Sequence, residues 1–235
     1  MRNFLFLSFF FLIVLSCRSQ KPLEGMVRVA DLEETDDRQA RSLTESDYKE
    51  VAKRLGVEVA SIKAVVDIEA GPGHQGFWTK GKPIINFDLA VYKKRAARRD
   101  VLAKAMRDKP EIFAKSNTRK YGSLQAARYA RVNAAMSVDS VSAIEGTFWG
   151  MFQIGGFNYK LCGTASPQEF LKKMSRSERD QLDLFANLLI NSGMVEPLRR
   201  KDWAAFAKRY NGPSYASHAY HTRLAKSYAS HSSKK

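Results

Sequence analysis

The chain has 235 residues and a formal net charge of +15, from 39 lysines and arginines against 24 aspartates and glutamates. This length is enough for one well-packed domain, and two cysteines allow one internal disulfide at most. Such a charge needs a polyanion or an anionic surface as partner, although charge alone does not choose between nucleic acid and another anionic surface.

The first seventeen residues have the pattern of an export signal. Arg2 supplies the positive start, and residues 4–15 form an apolar run, interrupted only by Ser8, that is too short to span a bilayer. The run leads through small residues into Cys17, which resembles the lipobox of bacterial lipoproteins, where the cysteine is lipidated and becomes the mature N-terminus. The alternative is an ordinary signal peptide cleaved nearby. We expect a lipid anchor at Cys17 and a location in the cell envelope, in the periplasm or at the outer membrane.

The remainder divides into a tether and one domain. Residues 18–42 are polar, mixed in charge and without apolar periodicity, which predicts a flexible tether ahead of a domain at residues 43–235. Without residues 1–17, which hold one basic and no acidic side chain, the chain carries +14. With Cys17 lipidated, Cys162 has no disulfide partner. No histidine stands in a recognisable nucleophile pattern with Cys162, so we interpret it as a small buried hydrophobe.

Capping signals and apolar periodicity predict a mainly α-helical domain with at most a small β-hairpin. Thr44 opens the first helix with an acidic capping box to Asp47. β-Branched residues between turn formers predict one short strand within residues 81–88. In chain order, helical stretches are predicted at 44–56, from about 58 to 71, at 90–106, at 124–136 and, for one short helix, from 139.

The C-terminal third gives the clearest helix starts. Ser166 and Glu169 form a capping box with a proline at the first helical position. Ser175 and Glu178 form a second box, which opens a long helix that ends at Gly193. Another helix is predicted from residue 202 to residues 211–213, and one more closes the domain. The total is six to eight helices.

Helical spacing singles out Glu69 for chemistry. It follows Ile62 and Val66 at seven and three residues, so its carboxylate continues the apolar stripe that faces the core. Burial disfavours the ionised form and raises the pKa of a carboxyl group. A carboxylic acid that stays protonated near neutral pH suits a glycosidase, which must protonate a leaving oxygen. The alternative is a glutamate in a frayed last turn that reaches solvent or pairs with an arginine.

Three segments resemble the landmarks of the lysozyme-like superfamily in their order and spacing. They are IEAGPGHQGFW at 68–78, GMFQI at 150–154 and AKRYNGP at 207–213. The landmarks are a glutamate that ends a helix, a G-x-x-Q-I segment and a Tyr-Asn pair near a helix end, which goose-type lysozymes and soluble lytic transglycosylases share. The chain more closely resembles the N-acetylmuramidase family of phage endolysins and bacterial wall enzymes, from residue 43 to about residue 229.

This resemblance implies a lysozyme-like fold and a peptidoglycan hydrolase. The enzyme would cleave the β-1,4 bond between N-acetylmuramic acid and N-acetylglucosamine, with Glu69 as general acid. A lytic transglycosylase that forms 1,6-anhydro ends is the nearest alternative. A non-catalytic peptidoglycan-binding lipoprotein is another, and the intact Glu69 argues against it. A nucleic-acid binder is opposed by the export signal and by the absence of any known nucleic-acid-binding module.

The resemblance also assigns residues around the acid. Gly150, Gln153 and Ile154 would form the cleft wall that contacts the glycan. Tyr210 and Asn211 would approach the catalytic carboxyl group or the neighbouring sugar. From the residues alone, Gln153 is equally compatible with a surface amide, and Tyr210 with a core position on its helix.

A second carboxylate is the open question. Asp88 stands at a position that is usually acidic in the family, where it could activate water or stabilise the oxocarbenium-like transition state. It is equally compatible with capping the helix that follows. Asp67 lies two residues from Glu69 and points elsewhere on the helix, and Glu145 is a remoter candidate. Without a second carboxylate, the acetamido group of the substrate or water alone must take over its role in the reaction. Phe148 replaces a small serine that is usual in the family, which predicts a reshaped subsite.

We expect no cofactor, no metal, no nucleic-acid partner and a monomer. His218 and His221 are three residues apart on a predicted helix but lack a third ligand, so a solvated pair is expected. The basic cluster at residues 93–99 is interpreted as a solvated face, with a wall-facing role as the alternative.

Overall fold

The computed structural model describes residues 42–70 and 75–233. Twelve α-helices make up most of these residues, which confirms a mainly α fold. The predicted signal segment, Cys17 and the tether before residue 42 lie outside the described residues. The helices are α1 (Glu45–Leu55), α2 (Val59–Ala70), α3 (Leu89–Ala97), α4 (Leu102–Asp108), α5 (Thr118–Tyr121), α6 (Leu124–Met136), α7 (Ser140–Glu145), α8 (Pro167–Met174), α9 (Glu178–Asn191), α10 (Val195–Arg199), α11 (Trp203–Asn211) and α12 (Tyr220–Ser232).

The helix count exceeds the predicted six to eight because several helices have only four to seven residues. The stretch predicted at 90–106 is interrupted at Asp100, whose backbone takes a φ of +57°, so it forms both α3 and α4. Such short helices carry too little periodicity to be distinguished from turns in sequence. Short 3-10 helices also occur at Pro110–Ile112, Gly156–Asn158 and Pro213–Tyr215.

The β structure is somewhat larger than one hairpin. Strands β1 (Phe77–Thr79) and β2 (Lys82–Pro83) form an antiparallel hairpin. Strands β3 (Ile85–Phe87), β4 (Thr147–Trp149) and β5 (Ile154–Gly155) form a separate antiparallel sheet in that order. The register pairs Ile85 with Trp149 and Trp149 with Ile154. This sheet therefore brings the chain after α2 against the GMFQI segment.

The first helix starts as predicted. The Thr44 hydroxyl accepts the backbone N–H of Asp47, and the Asp47 carboxylate accepts the backbone N–H of Thr44, which completes the capping box. Gly56 ends α1 in the left-handed region with a φ of +62°, a conformation that glycine adopts without steric cost.

The capping box predicted at Ser175 and Glu178 is wrong. The N-cap of α9 is Ser177, whose hydroxyl accepts the backbone N–H of Asp180, while Ser175 ends α8. The carboxylate of Glu178 accepts the backbone N–H of Gly76 at 2.9 Å instead. The side chain of Glu178 therefore forms a long-range hydrogen bond, whereas the local sequence pattern predicted that it would cap its own helix.

The buried core surrounds α2. Ile62, Val65 and Val66 are fully buried, and α2 packs against α1 on one side and α12 on another. In the same core, Phe152 of the GMFQI segment stacks on Phe185 of α9 with ring centroids 4.3 Å apart. No helix among residues 42–70 and 75–233 has the length and apolarity needed to cross a membrane.

Gln181 joins three separate segments from inside the core. Its fully buried amide oxygen accepts the backbone N–H of Met151 at 2.8 Å. Its amide nitrogen donates to the carbonyl oxygens of Gly76 at 3.2 Å and Met174 at 3.0 Å. The side chain thus links the entry to the β1–β2 hairpin, the turn after β4 and the end of α8.

We expect Gln181→Leu to destabilise the fold by about 2–5 kcal/mol, because it leaves one buried N–H and two buried carbonyl groups without this partner. Urea denaturation of the purified domain measures the change. Gln168→Leu is the matched control, since the Gln168 amide donates only to the Ser140 hydroxyl, at 3.2 Å, and a loss below about 1 kcal/mol is expected. Equal losses in the two variants would contradict the bridging role of Gln181.

Candidate active site

Glu69 lies in the last turn of α2, at the end of its buried stripe. Its side chain is partly buried, and its Oε1 atom accepts a hydrogen bond from the hydroxyl of Tyr220 at 2.5 Å. Desolvation raises the pKa of Glu69 from 4.5 to about 7, against the hydrogen bond from Tyr220 and the positive charge of Arg223, which lower it. The carboxyl group therefore titrates near neutral pH, and its protonated and ionised forms are both accessible there.

Tyr220 belongs to a polar chain that ends at Glu69. Burial and the charge of Glu69 raise the pKa of Tyr220 above its usual range, while a side-chain hydrogen bond from Asn211 opposes the rise. Asn211 is exposed at the end of α11, and Tyr220 begins α12. Asn211, which was predicted to lie near the carboxyl group, is therefore linked to it by way of Tyr220. Tyr220 itself was not predicted from the sequence.

Tyr210 connects the third landmark to the second. Its hydroxyl donates to the backbone carbonyl of Phe152 at 2.9 Å, and its ring stacks on Phe206 and meets Phe185 edge-on. Burial, together with the nearby charge of Glu69, raises the pKa of Tyr210 well above its usual value. Tyr210 is thus a packed residue that also lies within electrostatic reach of the candidate acid, and its proton is engaged by the backbone.

The turn that carries the second landmark is shaped by Gly150. Its backbone has a φ of +70°, and an added Cβ would lie 2.6 Å from Gln181 Oε1 and 2.7 Å from the sulfur of Met174. Only glycine fits this close approach. Gln153 has a φ of +44°, and its amide nitrogen donates to the Gly150 carbonyl at 2.8 Å. The Gln153 amide is therefore held against its own turn while staying partly exposed.

Ile154 occupies a different environment from the one expected of a residue in contact with glycan. Its side chain is 2% exposed within strand β5 and belongs to the hydrophobic core. Burial leaves its side chain no surface for a sugar, so its contribution is packing beneath the turn. Of the three residues expected in the cleft wall, Gln153 alone keeps an accessible side chain, since Gly150 is buried as well.

Each candidate for the second carboxylate has a structural partner. Asp88 caps α3, where its Oδ1 atom accepts the backbone N–H groups of Ala90 and Val91, both at 2.9 Å. Asp67 accepts the Ser227 hydroxyl at 2.5 Å and lies 2.7 Å from Nε2 of His231. These contacts place Asp67 against α12 and give Asp88 the capping role that the sequence left open.

The remaining candidates also lie in defined surroundings. Glu145 is buried and forms an ion pair with Arg95 at 3.5 Å. Phe148 is partly exposed and packs edge-on against Phe157, with centroids 6.0 Å apart. Cys162 is fully buried, and desolvation raises the pKa of its thiol to about 12. Such a thiol is un-ionised and inert at neutral pH, as the interpretation of a small hydrophobe requires.

His218 and His221 are not arranged as a metal site. His218 is exposed, and the ring of His221 packs edge-on against Tyr215 at 5.4 Å. Residues 42–70 and 75–233 contain no group of three or more histidine, cysteine, aspartate or glutamate side chains placed to hold a metal ion.

The comparisons with known proteins decide the family. The family model for N-acetylmuramidase matches residues 58–232. The chain belongs to the N-acetylmuramidase family. Among solved structures, this muramidase is similar to the crystal structure of Burkholderia AP3 phage endolysin, with 31% identity, 84% of this chain and 73% of that chain covered, and a TM-score of 0.68. No curated protein sequence matches the chain.

Membership makes the protein a glycoside hydrolase that acts on peptidoglycan, which confirms the predicted fold, enzyme class and wall substrate at that level. The matched region includes all three landmarks and both helices, α2 and α12, that meet at Glu69. It begins after α1, whereas the resemblance predicted from sequence began at residue 43.

We expect Tyr220→Phe to raise the pKa of Glu69, because the hydrogen bond from Tyr220 lowers it. The alkaline limb of the pH–rate profile should move upward by about one pH unit, since a hydrogen bond to a charged group is worth roughly 1.5–3 kcal/mol and one pKa unit about 1.4. Activity measured from pH 4 to about 10 tests this.

The matched control is Tyr228→Phe. Tyr228 is also on α12, and its hydroxyl donates to a carboxylate, that of Glu58, at 2.6 Å, away from the candidate acid. Its pH–rate profile should coincide with that of the unmodified enzyme. A profile unchanged by Tyr220→Phe, or moved to lower pH, would show that Tyr220 does not set the ionisation of Glu69.

Proposed function

We propose that this muramidase hydrolyses the β-1,4 bond between N-acetylmuramic acid and N-acetylglucosamine, with Glu69 as its general acid. The observation that carries the proposal is the Glu69 carboxyl group at the end of a buried stripe, with a pKa raised to about 7. A carboxylic acid that remains protonated near neutral pH has a proton to give to the glycosidic oxygen, and it gives that proton readily because its pKa lies close to the working pH.

The surroundings of Glu69 suit the change of charge during this step. When Glu69 loses its proton, the carboxylate keeps the hydrogen bond from Tyr220, and the charge of Arg223 favours the ionised form. Both interactions stabilise the product of proton transfer more than the starting acid. Stabilisation of charge as it develops is the usual way in which enzymes lower such a barrier.

Asp88 has no catalytic role in this proposal, because its Oδ1 atom already caps α3. The acetamido group of the N-acetylmuramic acid stabilises the positive charge at its own anomeric carbon as the protonated N-acetylglucosamine leaves, and the ionised Glu69 then takes a proton from the water that adds to this carbon. Gln153, whose side chain is partly exposed, and Asn211, whose side chain is exposed, are proposed to contact the glycan.

Replacement of the acid tests the assignment directly. We expect Glu69→Gln to lower turbidity clearance of purified peptidoglycan by about 10²–10⁴-fold, the usual contribution of general acid catalysis. The fold should persist, because the amide is isosteric and carries no charge to desolvate. Glu196→Gln, a surface carboxylate paired with Arg199 and Arg200, is the control and should keep full activity. Near-normal clearance by a folded Glu69→Gln enzyme would refute the role.

Product chemistry tests the bond and the mechanism. Mass spectrometry of peptidoglycan digested by the purified enzyme should show reducing N-acetylmuramic acid ends, which carry one added water. Dominant 1,6-anhydro products, lighter by that water, would assign the same Glu69 to a lytic transglycosylase. Reducing N-acetylglucosamine ends would show that the enzyme cleaves the other glycosidic bond of the strand.

We also propose that the enzyme is held at its membrane by a lipid on Cys17, supported by the lipobox-like run that precedes it. A flexible tether of about 25 residues reaches roughly 25–30 Å, so the domain would act on wall close to that membrane. We expect Cys17→Ser to release the protein from the membrane fraction and to leave its hydrolytic rate unchanged. A serine variant that still sediments with membranes after a salt wash would exclude this anchor.

A further inference from the structure

A basic cleft lies apart from the candidate active site. It has a volume of about 190 Å³ and lies between the segment around α5 and one face of α6. Three cations line it, Lys115, Lys120 and Arg131, together with one carboxylate among the described lining residues, Glu111. None of the residues around Glu69 described above is part of this cleft. The lining therefore carries two net positive charges in a concave space with no assigned role.

The two lysines of this cleft differ from several arginines of the domain in having no carboxylate partner. Arg95, Arg176 and Arg179 are each paired with carboxylates. Among residues 42–70 and 75–233, neither Lys115 nor Lys120 forms an ion pair. Positive charges that line one cleft and have no ion-pair partner attract an external anion, and a concave wall strengthens that attraction.

The third cation is fixed in place. The guanidinium of Arg131 donates to the backbone carbonyl of Ala114 and lies over the ring of Phe87, 5.6 Å from its centroid. The ammonium group of Lys120 lies 5.2 Å from the ring centroid of Tyr121, whose side chain lines the cleft and is 38% exposed. The cleft thus offers charge for a carboxylate beside an aromatic surface for small apolar groups.

Helix α6, which forms one wall of the cleft, also forms hydrogen bonds with the segment that follows Glu69 in the chain. On α6, the Tyr129 hydroxyl donates to the carbonyl of Pro83 at 2.6 Å, and Gln125 exchanges two hydrogen bonds with the backbone of Ile85. At 100° per residue, the residues of α6 that line the cleft lie on the face opposite to the one that contacts Pro83 and Ile85. An extended peptide of about five residues spans roughly 17 Å, enough to pass over one helix of about 10 Å diameter.

We propose that this cleft binds the carboxylates of the peptide stems that branch from the glycan strand. The inference rests on the proposed function, because it supposes that the strand lies at Glu69 while a stem passes around α6. Peptidoglycan stems combine free carboxylates with small alanyl methyl groups, which match the lysines and the ring of Tyr121. Occupation of this cleft makes the enzyme prefer glycan that bears peptide stems over glycan from which the stems have been removed.

The test measures binding separately from cleavage. A synthetic stem peptide with free carboxylates is titrated into the full-length protein and followed by calorimetry. Saturable binding is expected with the unmodified protein and equally with Glu69→Gln, so that failure of the catalytic assignment leaves this result intact. The same peptide with every carboxyl group amidated should bind at least about tenfold more weakly, and inorganic phosphate should bind more weakly than the free peptide.

The variants localise the site. Lys115→Ala combined with Lys120→Ala should weaken peptide binding by at least about fivefold and lower kcat/KM on intact wall, with little change on peptide-free glycan. Lys94→Ala combined with Lys104→Ala removes the same charge from exposed positions outside the cleft and should leave both unchanged. Equal weakening in the two double variants, equal binding of the amidated peptide, or phosphate binding as tight as that of the peptide would each overturn the proposal.

Discussion

A buried amide must have its hydrogen-bonding groups satisfied, and Gln181 satisfies them with the backbone of three segments that are far apart in sequence. The same oxygen that accepts the N–H of Met151 lies where a side chain at Gly150 would have to go. The turn of the second landmark is therefore held by a hydrogen bond and by the absence of a Cβ atom together. Glu178, one helical turn earlier, holds the backbone N–H of Gly76 in the same way. The chain on either side of the candidate site is thus fixed to α9.

The candidate site is completed from the opposite direction by α12. Tyr220 and Glu69 are 151 residues apart in sequence, and their hydrogen bond joins the end of α2 to the start of α12. Two residues before Glu69, Asp67 contacts Ser227 and His231 farther along the same helix. Because these contacts are spread along α12, the position of the Tyr220 hydroxyl is set by the docking of the whole helix. The ionisation of Glu69 therefore depends on packing well beyond its immediate neighbours.

Sequence predicted those features that depend on neighbours along the chain. Thr44 and Asp47 form their capping box because both partners are three residues apart, and the i, i+4, i+7 spacing of Ile62, Val66 and Glu69 correctly indicated a desolvated carboxyl group. The features it missed depend on distant partners. Glu178 was predicted to cap a helix because its contact with Gly76, 102 residues away, leaves no local pattern in the sequence. Tyr220 was not singled out because its partner Glu69 is on α2, far away in sequence. Cys17 and its tether remain predictions.

The raised pKa of Glu69 also links the acid to the heat resistance of the protein. Between pH 4.5 and about 7, the folded enzyme holds a proton that the unfolded chain has released. The stabilisation from this proton is fully present below pH 4.5 and disappears as the pH rises through about 7. The melting temperature should therefore fall between pH 4.5 and about 7, and around the upper end of this interval Glu69 also loses the proton that the glycosidic oxygen would receive. In mildly alkaline surroundings the enzyme would become both less active and easier to unfold, through the ionisation of one side chain.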